Sequence, residues 1–203
     1  AGLERGNRVA VQMPNLIQYL VVCLGALRAG MVVVNTNPLY TERELEHQLN
    51  DANVKVMVVQ ANVAQTAAAV LPRTDVETVV VTEIADLHPQ PKRSLINFLV
   101  KHVKRMVRAF FIPGALKLNA VLKAGAKTPY RAAILNREDL AMLQYTGGTT
   151  GVAKGAMLTH GNLIANVLQS DALFETHNIE GRGSTMLQPL PVYHIYAFTA
   201  SMY

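Results

Sequence analysis

The run Leu140-Ala-Met-Leu-Gln-Tyr-Thr-Gly-Gly-Thr-Thr-Gly-Val-Ala-Lys-Gly155 passes from an apolar segment into a loop of glycine, threonine and a single lysine. Leu140 to Tyr145 predicts a strand and Leu163 to Leu168 part of a following helix, so the loop sits where an α/β layer turns from strand to helix. Its composition suits an anion. Gly147, Gly148, Gly151 and Gly155 let backbone N–H groups converge on a ligand, Thr146, Thr149 and Thr150 add hydroxyl donors, and Lys154 supplies a mobile positive charge. A flexible linker would tolerate the same residues, but it needs neither a strand before it nor a helix after it. Tyr145, an aromatic at a strand end, is read as packing.

Upstream, apolar strands alternate with amphipathic helices. Strands are expected at Arg8 to Met13, Met31 to Val34, Lys55 to Val59 and Glu77 to Thr82, with helices at Leu16 to Ala29, Glu42 to Ala52 and Val63 to Leu71. That order argues for an α/β fold with mainly parallel sheet flanked by helices. Thr41 followed by Glu44 has the spacing of a capping box, and Gly30 stands where a glycine stops a helix. The apolar stretch Leu16 to Val34 approaches the about 20 residues of a membrane span, but Gln18, Tyr19, Arg28 and Gly30 interrupt it. It reads instead as a helix followed by a strand.

The loop fails the Walker A pattern, which requires glycine directly before the lysine and Ser or Thr directly after it. Here Ala153 precedes Lys154 and Gly155 follows. The segment resembles instead the signature Tyr-Thr-Ser-Gly-Thr-Thr-Gly-x-Pro-Lys-Gly of the adenylate-forming superfamily, departing from it at Gly147 and Ala153. Read together, Asn35-Thr-Asn-Pro-Leu-Tyr-Thr-Glu-Arg-Glu-Leu45 and Gln144 to His160 look like the bacterial long-chain fatty acid CoA ligases, in which both variants are familiar. The resemblance covers essentially the whole chain and is weakest between Leu87 and Asn136. It implies the fold of the large N-terminal domain and ATP-dependent activation of a fatty acid through an acyl-adenylate, followed by thioester formation with CoA.

In that comparison Thr146, Gly147, Gly148, Thr149, Thr150, Gly151, Lys154 and Gly155 bind the phosphates of ATP, and Lys154 also stabilises the departing pyrophosphate. A second segment, Leu190-Pro-Val-Tyr-His-Ile-Tyr196, looks like the next family motif. There His194 meets the acyl carboxylate or the intermediate and Tyr193 shapes the pocket wall. Taken alone, a histidine in an aromatic run is more often a core residue. Thr159 reads as a helix cap and His160 as structural. No Cys, His or carboxylate cluster has metal-site spacing, so Mg²⁺ is expected to arrive with ATP. The family's further motifs, including its C-terminal domain, cannot be placed in this chain. It begins at Ala1 and stops within an aromatic run, and so reads as residues 1–203 of an incomplete adenylation domain, inactive by itself.

Charge is distributed unevenly. Of nineteen Lys and Arg residues, ten (92, 93, 101, 104, 105, 108, 117, 123, 127, 131) lie between Lys92 and Arg131, which contains no Asp or Glu. At 100° per residue, Lys101, His102, Lys104, Arg105 and Arg108 share one helix face, with Leu95, Ile96, Leu99, Val103, Met106, Val107 and Phe110 opposite. Such a basic amphipathic insertion can lie on an anionic membrane through residues 92–112, or pack its apolar side on its own domain. No nucleic-acid motif accompanies it, and nucleic acid is not an expected partner. The single Cys23, in an apolar run, reads as a core residue in a reducing cytoplasm, with peripheral contact at the inner face of the membrane. The resemblance also admits a homodimer. Two other readings fit the same residues: an aryl-acid or other CoA ligase of the superfamily, and a non-catalytic phosphate- or membrane-binding module.

Overall fold

The computed structural model describes residues 2–146, 153–176 and 187–201. β1 (Arg8–Gln12), β2 (Val32–Thr36), β3 (Val54–Gln60), β4 (Thr78–Thr82), β5 (Leu116–Lys117), β6 (Leu140–Thr146) and β7 (Lys154–Thr159) form one sheet in the order β5-β4-β3-β1-β2-β6-β7. Every pairing is parallel except that of β7 with β6. The expected fold is therefore present, with one antiparallel edge.

Side-chain alternation sorts the strands onto two cores. Val9, Val11, Val33 and Met142 face α1 (Ile17–Arg28), where Tyr19, Cys23 and Leu27 are buried. Ala10, Val32, Val34, Leu143 and Tyr145 face α2 (Glu42–Asp51) and α3 (Ala64–Val70). Both sides are covered, which is why β1 and β2 read as nearly unbroken valine-rich runs. Burial pushes the Cys23 thiol up to about 12, so it behaves as a small core residue.

Helix ends follow the sequence signals. Gly30 takes φ +77°, its N–H donates to the Leu27 carbonyl (3.0 Å), and Met31 N–H donates to that of Ala26 (2.9 Å). These bonds stop α1 and return the chain to β2. At α2, Thr41 Oγ1 accepts from Glu44 N–H (3.4 Å) while the Glu44 carboxylate accepts from Thr41 N–H (2.8 Å). The Thr41 N–H holds the Glu44 carboxyl below its ordinary range.

Two expectations are corrected. The loop after β6 does not feed a helix directly. The chain reverses and β7 pairs along the otherwise open edge of β6, and only then does α6 (His160–Thr176) begin. Thr159 caps that helix as expected, its Oγ1 accepting from Asn162 N–H (3.2 Å). The basic helix is also shorter than its periodicity suggests. α4 (Lys92–Phe98) widens into a π turn over Leu99–Val103, and the chain then leaves the axis. Arg105 adopts φ +52° and Lys104 N–H donates back to the Leu99 carbonyl (2.8 Å), so Arg108 and Phe110 do not continue the amphipathic face. Two further short helices among the described residues are α5 (Leu118–Gly125) and α7 (Ile195–Ser201).

Candidate active site at the β6–β7 hairpin

Among the predicted phosphate-binding residues, Thr146, Lys154 and Gly155 are described, whereas Gly147, Gly148, Thr149, Thr150 and Gly151 lie outside the described residues. β6 and β7 pair with Thr146 opposite Lys154, Tyr145 opposite Gly155 and Gln144 opposite Ala156. Directly opposed residues in an antiparallel pair share a face, so Thr146 and Lys154 stand side by side at the mouth of the hairpin. Both are exposed. A hydroxyl donor and a cation are thus paired by backbone register at the two ends of the glycine loop.

Tyr145 points to the opposite face and is a packing residue. Its hydroxyl donates to the Asp51 carboxylate of α2, and burial, reinforced by Asp51, pushes its ionisation upward. His47 of α2 donates from Nε2 to the Ala153 carbonyl (3.0 Å). One helix therefore holds the chain just before and just after the loop, contacts that the sequence did not reveal. Only the i, i+4 spacing of His47 and Asp51 hinted at a shared face.

The ring of Tyr145 explains Gly155. A Cβ at Gly155 would stand 2.9 Å from the Tyr145 ring, whose hydroxyl is tied to Asp51. Gly155→Ala is expected to cost about 1–3 kcal/mol in denaturant unfolding of the full-length protein. The cost should fall by more than half when Tyr145→Leu removes the ring. An equal cost in both backgrounds would show that the close approach is not its source.

The second predicted segment reaches the face of the sheet that carries Gln144 and Thr146, opposite to that of Tyr145. His194 N–H donates to the Pro191 carbonyl (2.9 Å) and the His194 carbonyl accepts from Phe198 N–H (2.9 Å), a turn that starts α7. Asn15, just before α1, donates to the Leu190 carbonyl (2.8 Å) and accepts from Val192 N–H (2.9 Å). Phe198 packs edge-on against Tyr19, with ring centroids 6.2 Å apart. Tyr193 is half-buried and His194 exposed. The Tyr193 carbonyl accepts from Gln144 Nε2 (3.3 Å), and Gln144 lies two residues before Thr146 on the same face of β6. The turn carrying His194 is thereby attached to the strand that delivers the glycine loop.

The chain is similar to known proteins over nearly its whole length. The chain is 48% identical over 198 residues to a long-chain-fatty-acid–CoA ligase of Escherichia coli O157:H7, covering 98% of this chain and 35% of that protein. It is 36% identical over 207 residues to one from Bacillus subtilis, covering 99% of this chain and 36% of that protein. The chain thus spans about a third of the length of the curated relatives it matches. Among solved structures, a long-chain-fatty-acid-CoA ligase from Archaeoglobus fulgidus superposes with a TM-score of 0.68 at 29% identity, covering 98% of this chain and 33% of that one. ATP-bound MatB from Rhodopseudomonas palustris gives 0.70 at 27% identity, with the same coverage. The family model for AMP-binding enzymes matches residues 1–203. With the hairpin, the adjoining His194 turn and a match over its whole length, this chain belongs to the AMP-binding enzyme family.

Proposed function

We propose that this chain is part of the N-terminal adenylation domain of a long-chain fatty acid CoA ligase. The observation that carries the reading is the register of Thr146 against Lys154 at the mouth of the glycine loop. In the proposed reaction a fatty carboxylate oxygen attacks the α-phosphorus of ATP and pyrophosphate leaves. The CoA thiol, losing its proton, then attacks the acyl carbon of the adenylate and AMP departs. Lys154, Thr146 and the residues between them would hold the β- and γ-phosphates and offset the charge that develops on pyrophosphate. His194, exposed on its turn, would donate to the acyl carboxylate, and Tyr193 would wall the pocket. Mg²⁺ would enter with ATP. Among the described residues no group of three His, Cys, Asp or Glu side chains could hold it, so no step is assigned to a metal site in this chain.

The test is pyrophosphate release from ATP by the full-length protein, which should depend on added long-chain fatty acid. Release that responds equally to no acid would remove the reading. A clear preference for aromatic acids would move the assignment to the aryl-acid branch.

A second reading concerns residues 92–131 as a basic insertion facing the inner surface of the cytoplasmic membrane. Leu95 (59%), Phe98 (57%), Val103 (61%) and Met106 (54%) remain exposed, so much of the apolar side of residues 92–106 is uncovered, whereas Phe110 and Ile112 pack against the core beside α2 and α3. Cations without neighbouring carboxylates in sequence flank that stripe. This combination suits an anionic bilayer, with about 1 kcal/mol from each cation near the surface. No helix among the described residues is long and apolar enough to cross a membrane, so contact would be interfacial. The full-length protein should sediment with anionic vesicles and be released at high salt. Equal recovery on neutral and anionic vesicles would refute the proposal.

A further inference from the structure

Three buried polar side chains connect α1 to the His194 turn through the centre of the apolar face. The Tyr19 hydroxyl donates to Asn35 Oδ1 (2.6 Å), Asn35 Nδ2 donates to Gln144 Oε1 (2.9 Å), and Gln144 Nε2 donates to the Tyr193 carbonyl (3.3 Å). Tyr19, Asn35 and Gln144 are 0%, 2% and 8% exposed. Asn35 and Gln144 are register partners on β2 and β6, so the sheet itself sets their separation.

The direction of this chain is fixed from its far end. A backbone carbonyl can only accept, so Gln144 must turn its NH₂ toward Tyr193 and its oxygen toward Asn35. Asn35 must then offer its own NH₂ to Gln144 and its oxygen to Tyr19. Toward Asn35, Tyr19 is left one role, that of donor. Burial pushes its ionisation well upward, which keeps the hydroxyl protonated for that role. Aliphatic residues would fill β2 and β6 without the desolvation penalty that each amide carries, so packing alone does not account for these side chains. What the amides add is a directional link between two segments far apart in sequence.

We propose that Gln144, supported by Asn35 and Tyr19, is a positioning residue that sets the Tyr193-His194 turn relative to Thr146 and Lys154. The inference rests on the ligase reading given above. His194 N–H and carbonyl shape the turn from within, and Asn15 holds its leading side. Among the described residues, Gln144 is the side chain that ties the turn to β6, two residues from the last residue of that strand. Its amide therefore governs where the acyl carboxylate meets the phosphate-binding hairpin, and an error of one ångström in such an alignment carries a large kinetic penalty.

The experiment uses the full-length ligase, with pyrophosphate release titrated separately against ATP and against a long-chain fatty acid. Gln144→Met keeps the size of the side chain and removes its hydrogen bonds to Asn35 and to the Tyr193 carbonyl. It is expected to raise the fatty acid KM or lower kcat at saturating ATP by about tenfold while the ATP KM stays within about twofold. A residue that served stability alone would lower the melting temperature and the active fraction with both KM values unchanged, and that result would overturn the proposal. Tyr19→Phe deletes one hydroxyl at the far end and decides the matter if Gln144→Met fails to fold. It should shift the fatty acid parameters in the same direction by about two- to threefold, and wild-type values for both substrates would overturn the proposal. Wild-type enzyme that shows no fatty-acid dependence removes the ligase reading and this inference with it. A dependent wild type with unaffected variants removes the inference alone.

Discussion

Lys154→Ala in the full-length protein should, on the proposed ligase reading, lower kcat/KM for ATP by about 10²–10³ while leaving the fold in place. The first half of that expectation follows from chemistry: the ammonium is the one side-chain cation of the glycine loop, and removing a preorganised donor from a developing oxyanion costs about 3–4 kcal/mol. The second half follows from position. Lys154 is exposed at the first residue of β7, where a surface substitution changes stability by about 0.5 kcal/mol or less. Steady-state kinetics against ATP, with a thermal melt on the same preparation, measures both. Unchanged ATP KM and kcat would refute the assigned role, and a large loss of melting temperature would refute the claim that the residue is structurally idle.

Val33→Asp should prevent the protein from folding. Val33 is wholly buried in β2, in register with Val9 on one side and Met142 on the other, and all three face the core under α1. The substitution loses about 1.5–3 kcal/mol of apolar burial and leaves an unpaired carboxylate whose burial costs several kcal/mol more. Against a typical stability of about 5–15 kcal/mol, little would remain. The same change at Ile17, 62% exposed in the first turn of α1, places a carboxylate at a helix N-terminus and should leave the melting temperature close to wild type. Soluble, cooperatively unfolding Val33→Asp protein would contradict the two-sided burial of β2.

The contrast between these positions shows what the sequence could disclose. β1 to β4 were legible because both faces of the sheet are covered, so their strands are apolar throughout and glycine and capping residues separate them from the helices. β7 was not. Lys154-Gly-Ala-Met-Leu-Thr159 opens with residues of poor strand propensity, and only its pairing with β6 makes it a strand. The basic segment misled in the other direction, since its periodicity runs on to Phe110 with no glycine or proline to mark the turn at Arg105. For the site, the residue types of the glycine loop and of Tyr193-His194 were conspicuous in the chain. Asn35, Gln144, His47 and Asp51 were not, because each acquires its partner from a segment remote in sequence, and a lone amide within a valine run carries no sign of what it will bond.

The sheet order has a consequence for biosynthesis. β2 lies between β1 and β6, yet residues 37–139 must be made before β6 begins. At about 5–20 residues per second the ribosome needs roughly 5–20 s for that interval. During it, β1 to β4 can already assemble, leaving the Val32-Val-Val-Asn-Thr36 edge with unpaired backbone groups. The nascent chain therefore carries a sticky valine-rich border until the hairpin arrives to seal it, and the segment that bears the glycine loop is also its guard against aggregation.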